Sequence, residues 1–134
     1  MTAKRRIDYV ILYVQDLERS IPFYRDAIGF EFKLQGDGYA EFATEGTKFA
    51  LFERSKLPEL IGWVADAEAP TGPSAEVVIL VDDVDREAER LLAAGVEPLT
   101  GPVDRPWGHR TVHVADPDGH VVELAQEIPR HDQG

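Results

Sequence analysis

The sequence predicts an α+β fold made of two βαβββ units, one after the other. Three observations lead there. Strand-like and helix-like segments occur twice in the same order. Their punctuation aligns, Val14-Gln15-Asp16 with Val81-Asp82-Asp83, Gly29 with Gly95, and Gly46 with Gly119. Between the two runs lies a stretch, residues 54–74, broken by Pro58, Gly62, Pro70, Gly72 and Pro73. The 134 residues are therefore expected to form one domain, with unit 1 at 7–53, a linker at 54–74, unit 2 at 75–126 and a tail at 127–134.

The first unit opens with residues 7–14, β-branched and aromatic, hence a strand. Asp16 is placed to cap a helix whose buried face is Leu17, Ile21, Tyr24 and Ile28, spaced three or four apart. Gly29 is the expected stop. Pro22 has no N–H, so the helix starts late or bends there. Strands follow at 30–34, 39–43 and 48–52, separated by the turn-like runs 35–38 and 44–46. Within the linker, Leu57, Leu60, Ile61 and Trp63 suggest a short helical turn. A linker of this length inside a compact domain often forms a lid or a crossing between halves.

The second unit repeats the order. Residues 75–81 form a strand, and Asp83 caps a helix that buries Val84, Ala88, Leu91 and Leu92 before Gly95 ends it. Strands are expected at 96–99, 110–115 and 120–125, with 100–108 as a connecting loop. Asp116-Pro117-Asp118-Gly119 is a turn, since proline fixes φ and glycine accepts a positive one. The strand after it carries Glu123 in its middle. A carboxylate there must be solvated, paired or metal-bound.

Composition narrows the function classes. There is no cysteine, which excludes disulfides, thiol catalysis and thiolate metal sites. A net charge of −11 disfavours nucleic acid and anionic membranes as partners. No apolar run is long enough to span a bilayer and the basic start, residues 1–6, does not read as a signal peptide, so a cytoplasmic location is expected.

Taken together, the segments 9–20, 23–25 and 28–30, then 81–84, 93–96 and 116–124, resemble the vicinal oxygen chelate superfamily. That superfamily includes glyoxalase I, extradiol dioxygenases, fosfomycin-resistance transferases and bleomycin-resistance proteins. The resemblance covers about residues 7–126. It implies that the two units form an incomplete barrel around a cavity, and that the protein is a homodimer, with units exchanged across the 54–74 linker as one form. Strand alternation then assigns faces. Tyr9, Ile11, Tyr13, Ala50, Phe52, Glu76, Val78, Leu80, Val121, Glu123 and Ala125 turn to the cavity. Tyr39, Glu41, Arg110, Val112 and Val114 join them by hairpin pairing, and His113 faces the helix.

In metal-binding relatives the ligands stand at four equivalent positions, which the resemblance maps onto Tyr9, Ala50, Glu76 and Glu123. Alanine cannot bind, and a phenol is a poor ligand for a hard divalent cation. Two carboxylates fall short of the three or so protein ligands of a catalytic site. The expectation is a metal-free protein that sequesters an aromatic or cationic small molecule, as the bleomycin-resistance members do. Its ligand-binding residues would be Tyr9, Tyr13, Tyr39, Glu41, Phe52, Trp63, Glu76, Trp107, Arg110 and Glu123, through stacking and cation–π contact. The alternative is a metal-dependent lyase or dioxygenase using Glu76 and Glu123 with Tyr9. Without a metal, Glu76 and Glu123 could act as an acid–base pair, or be a salt-bridged pair with Arg110.

Overall fold

The computed structural model describes residues 7–62 and 75–129. The chain divides into two compact units, Met1–Ala69 and Pro70–Gly134. Each is a βαβββ unit, so the fold is α+β as the repeat implies.

Unit 1 begins with β1 (Tyr9–Val14) and α1 (Leu17–Pro22). The Asp16 carboxylate accepts from the Glu18 N–H at 3.0 Å, which caps the helix as expected. Helix winding does not stop at Pro22. It widens into a π-helical stretch, Phe23–Ile28, which is how the chain absorbs the missing proline N–H. The N–H groups of Gly29 and Phe30 both close on the Tyr24 carbonyl, at 3.1 and 2.9 Å. Then come β2 (Glu31–Gly36), β3 (Tyr39–Ala43) and β4 (Lys48–Glu53), and α2 (Leu57–Ile61). The sheet order is β1-β4-β3-β2, with β1 parallel to β4 and the other pairs antiparallel. One sheet face packs on the helix. Leu12, Val14, Phe42, Phe49 and Leu51 are buried there with Leu17, Ile21 and Tyr24. Tyr24 is the centre of an aromatic cluster, its ring 5.0 Å from Phe49 and 6.1 Å from Phe42.

Unit 2 repeats this with β5 (Glu76–Leu80), α3 (Val84–Ala93), β6 (Thr100–Arg105), β7 (His109–Ala115) and β8 (Val121–Glu127), in the order β5-β8-β7-β6. The Asp83 carboxylate caps α3 through the Arg86 N–H at 3.2 Å. A second capping contact also repeats. Glu53 at the end of β4 accepts from the Leu17 N–H at 3.5 Å, and Gln126 near the end of β8 accepts from the Val84 N–H at 2.9 Å. The core is Val84, Ala88, Leu91, Val112, Val114, Val122 and Leu124.

Three expectations need correction here. Leu92 is exposed, because Val84, Ala88 and Leu91 already complete the helix face. The sixth strand is not 96–99 but Thr100–Arg105, through the Gly-Pro pair that reads as a loop. It is an edge strand with a register shift between Thr100 and Val103, where proline's missing N–H breaks no ladder. Gly101 has φ 97°, and a β-carbon there would collide with the Thr111 carbonyl oxygen, so the position needs glycine. The third is the facing of β7, which positions the site.

The turn before β8 is built on Asp116. Its carboxylate accepts from the N–H groups of Asp118 and His120, both at 2.8 Å, while Gly119 takes φ 86°. This buried Asx turn fixes the register in which Glu123 enters the sheet. Among the described residues no helix is long and apolar enough to cross a membrane.

Candidate functional site

Each sheet has one face against its helix and one face away from it. On the second face of the unit 2 sheet three donor side chains converge. Parallel pairing of β5 with β8 sets Glu76 beside Val121 and Val78 beside Glu123. Antiparallel pairing of β7 with β8 sets His113 directly opposite Glu123. His113 Nε2 lies 3.0 Å from a Glu123 oxygen and 3.8 Å from a Glu76 oxygen. One donor atom from each of the three lies within 4.8 Å of the others. Glu123 and His113 are largely buried, with side chains 11% and 17% exposed, whereas Glu76 is 47% exposed and opens the group to solvent.

His113 Nδ1 is buried and has no hydrogen-bond partner among the described residues. A proton on that nitrogen would be an unsatisfied buried donor. The neutral ring therefore carries its proton on Nε2, where Glu123 accepts it.

This overturns the expected facing of β7. Val112 pairs with Leu124 and Val114 with Val122, and all four are buried on the helix side. His113 takes the other face. Arg110 shares the side of Val112 and is not a partner for Glu76 or Glu123. It donates two bonds of 3.0 Å to Asp85 on α3 and one of 2.9 Å to Asp104 on β6. The two carboxylates hold its guanidinium charge firmly on, and Arg110 in turn holds Asp85 below the usual carboxylate range. A signal for His113 was present in the sequence. In Val112-His113-Val114 the only polar residue sits between two valines, and β7 must match the apolar parity of Val122 and Leu124.

Unit 1 carries different chemistry at the matching positions. Register sets Ile11 against Ala50 and Glu41 against Ala50, as Val78 and His113 are set against Glu123. The counterparts of Glu76, His113 and Glu123 are thus Tyr9, Glu41 and Ala50. Glu41 is buried, and its oxygens accept from the Tyr39 hydroxyl at 2.7 Å and from Lys33 at 3.1 Å. Those two bonds, the Tyr39 one first, hold Glu41 below the usual carboxylate range. Burial and then the bond to Glu41 push the Tyr39 hydroxyl well above its ordinary value. Lys48 sits 4.9 Å over the Tyr9 ring and 3.4 Å from Asp8. Tyr9, Ile11 and Tyr13 are each about 40% exposed, at 43%, 42% and 40%, on the same side as Phe52. Of the expected loop residues, Trp107 lies at the β6–β7 turn and is 53% exposed. Trp63 lies outside the described residues.

The comparisons agree with the fold. The family model of the Glyoxalase/Bleomycin resistance protein/Dioxygenase superfamily matches residues 6–124. The chain belongs to that superfamily. It is 28% identical over 127 residues to a bleomycin resistance protein of Geobacillus stearothermophilus, covering 87% of this chain and 93% of that one. It is 27% identical over 118 residues to the metallothiol transferase FosB of Lysinibacillus sphaericus (strain C3-41), covering 88% and 79%. The crystal structure of a glyoxalase/bleomycin resistance protein/dioxygenase from Nocardioides superposes with a TM-score of 0.85 at 28% identity, over 100% of this chain and 91% of that one.

Proposed function

We propose that the chain binds a small molecule at the face of the unit 2 sheet that bears Glu76, His113 and Glu123, through a divalent metal ion held by those three side chains. The observation that carries this reading is the convergence of three donors within 4.8 Å, which raises the protein ligand count from two to three. One imidazole and two carboxylates suit a first-row divalent cation such as Mn²⁺, Fe²⁺ or Zn²⁺. Bound there, the ion would polarise a ligand oxygen as a Lewis acid. Glu123 and His113, both largely buried and in mutual contact, fix the inner side of the group. Glu76, on the edge strand, stands where a ligand enters. Lyase or dioxygenase chemistry is the enzymatic form of this reading, and the similarity to a protein named metallothiol transferase supports its metal part.

Calorimetric titration of the metal-stripped chain with Mn²⁺ and Zn²⁺, backed by elemental analysis of the protein as purified, tests it. One ion per chain is expected, with affinity lost in Glu123→Gln and His113→Ala. Absence of binding by the wild-type chain sinks the reading.

The second reading is metal-free sequestration of an aromatic or cationic molecule. It is favoured by the exposed tyrosines of β1, with Tyr39, Glu41 and Phe52 on neighbouring strands, and by the bleomycin resistance relative. A thermal-shift screen of cationic aromatic antibiotics on metal-free protein tests it, and no rise in melting temperature counts against it. Under either reading the chain works as a homodimer, which the exposed apolar side chains along β1 support and sedimentation equilibrium tests.

A further inference from the structure

The β6–β7 hairpin holds two arginines that are used differently. Arg110 faces the helix and is engaged by Asp85 and Asp104. Arg105 pairs in register with His109, and the same parity sets Val103 against Thr111 and Thr100 against His113. Arg105 therefore lies on the face that carries His113 and Glu123. Its Nε donates to the Thr111 hydroxyl at 3.0 Å, and Thr111 is fully buried. Among the described residues it forms no ion pair, although the chain has 25 acidic residues. A buried neutral hydroxyl thus orients a guanidinium whose remaining N–H donors meet no carboxylate of the described residues.

Thr111 and His113 are two residues apart on one strand face, so Arg105 is anchored roughly 7 Å along the strand from the donor group. The surface nearby is apolar, with Val103 and Val78 exposed.

We propose that Arg105 is the anion-recognising residue of this site and that the ligand carries a carboxylate, taken by the guanidinium fork while the rest of the molecule reaches toward Glu76, His113 and Glu123. A planar carboxylate matches the fork in two parallel hydrogen bonds. A monoanion fits better than a phosphate dianion, because the net charge is −11 and two carboxylates stand on the same face. The inference rests on the unit 2 face being the binding site, but not on the metal.

The probe is benzoate, with benzamide as its neutral isostere. Nitrogen-15 spectra of the arginine Nε–H groups of the full chain are recorded during titration with each, and with inorganic phosphate. Benzoate should shift the Arg105 signal saturably and leave Arg110 in place, and benzamide should not shift it. Arg105→Gln should weaken benzoate binding at least about tenfold, with Arg105→Lys between the two. Equal response to benzamide, unchanged benzoate affinity in Arg105→Gln, or tighter binding of phosphate than of benzoate would each overturn the proposal. Metal titration of Arg105→Gln separates the two readings. Metal uptake should match wild type, so lost metal binding in the wild-type chain with benzoate still on Arg105 defeats only the metal reading. Retained metal with no Arg105 response defeats only this one.

Discussion

If Glu76, His113 and Glu123 exist to hold something, the empty chain should be more stable without them. The perturbation is the double variant His113→Leu with Glu123→Met, compared with the single variant Glu123→Ala, both measured in chelator. The two side chains are 17% and 11% exposed and their one strong mutual contact is 3.0 Å long. Replacing a buried polar pair with apolar side chains of similar volume is neutral to stabilising, here about 1–2 kcal/mol at this partial burial. For a chain of this size that corresponds to a rise of roughly 3–10 °C in melting temperature. Glu123→Ala should do the reverse. It strips the acceptor from His113 Nε2 while Nδ1 already has no partner, and Glu76 at 3.8 Å is too far to replace it unmoved. The expected cost is about 1–3 kcal/mol. The assay is thermal and urea unfolding followed by circular dichroism. A double variant less stable than wild type would refute the reasoning, since the group would then be a brace of the sheet.

Three further outcomes follow from the same structure. Tyr39→Phe removes the first cause of the lowered Glu41 pKa, so the carboxyl carbon signal of Glu41 should titrate nearer the ordinary range. A carboxylate lowered on folding contributes stability that is present above its unfolded pKa and lost as pH falls through its folded one. The drop in urea midpoint between neutral and strongly acidic pH should therefore shrink in Tyr39→Phe, and an unchanged drop would remove Glu41 from the account. Gly101→Ala drives a β-carbon against the Thr111 carbonyl at φ 97°, and melting should report a loss of about 2 kcal/mol or more. Tyr24→Ala empties a fully buried position beside Phe49 and should cost about 3–5 kcal/mol by urea unfolding.

Most of the fold was legible because it is written in short-range chemistry. Asp16 and Asp83 cap helices, the spacing of Leu17, Ile21, Tyr24 and Ile28 marks one face, and Asp116 to Gly119 is a turn, all within a few residues. The misses lie where pairing between distant segments decides. Thr100–Arg105 looks like a loop because Gly101 and Pro102 break isolated strands, yet an edge strand tolerates both. The facing of His113 and Arg110 depends on β7 sharing parity with β8, and a one-residue error in parity exchanges every side chain between faces. The resemblance points to Glu76 and Glu123 by position, and a salt bridge to Arg110 is one of the alternatives for them, because a buried carboxylate invites a cation. The structure gives Arg110 to Asp85 and Asp104 and gives the carboxylates an imidazole.

The two units show why the same backbone pattern gathers three metal-donor side chains in unit 2 and, among the described residues, not in unit 1. At the three matching positions unit 1 has Tyr9, Glu41 and Ala50. Ala50 offers no donor, and both Glu41 oxygens are already committed, one to Tyr39 and one to Lys33. Lys33 meets the charge of Glu41 within the unit, so that carboxylate lacks the demand for a cation that Glu76 and Glu123 have. Unit 2 has donors at all three positions, no lysine or arginine among them, and a histidine that can satisfy only part of the demand of two carboxylates. Its demand for positive charge is unmet within the described residues. Arg105, which forms no ion pair among the described residues, stands further along the same sheet face, across from Thr111. The proposed metal ion would meet the first of these demands and the proposed carboxylate ligand the second, so one face of one sheet would serve both.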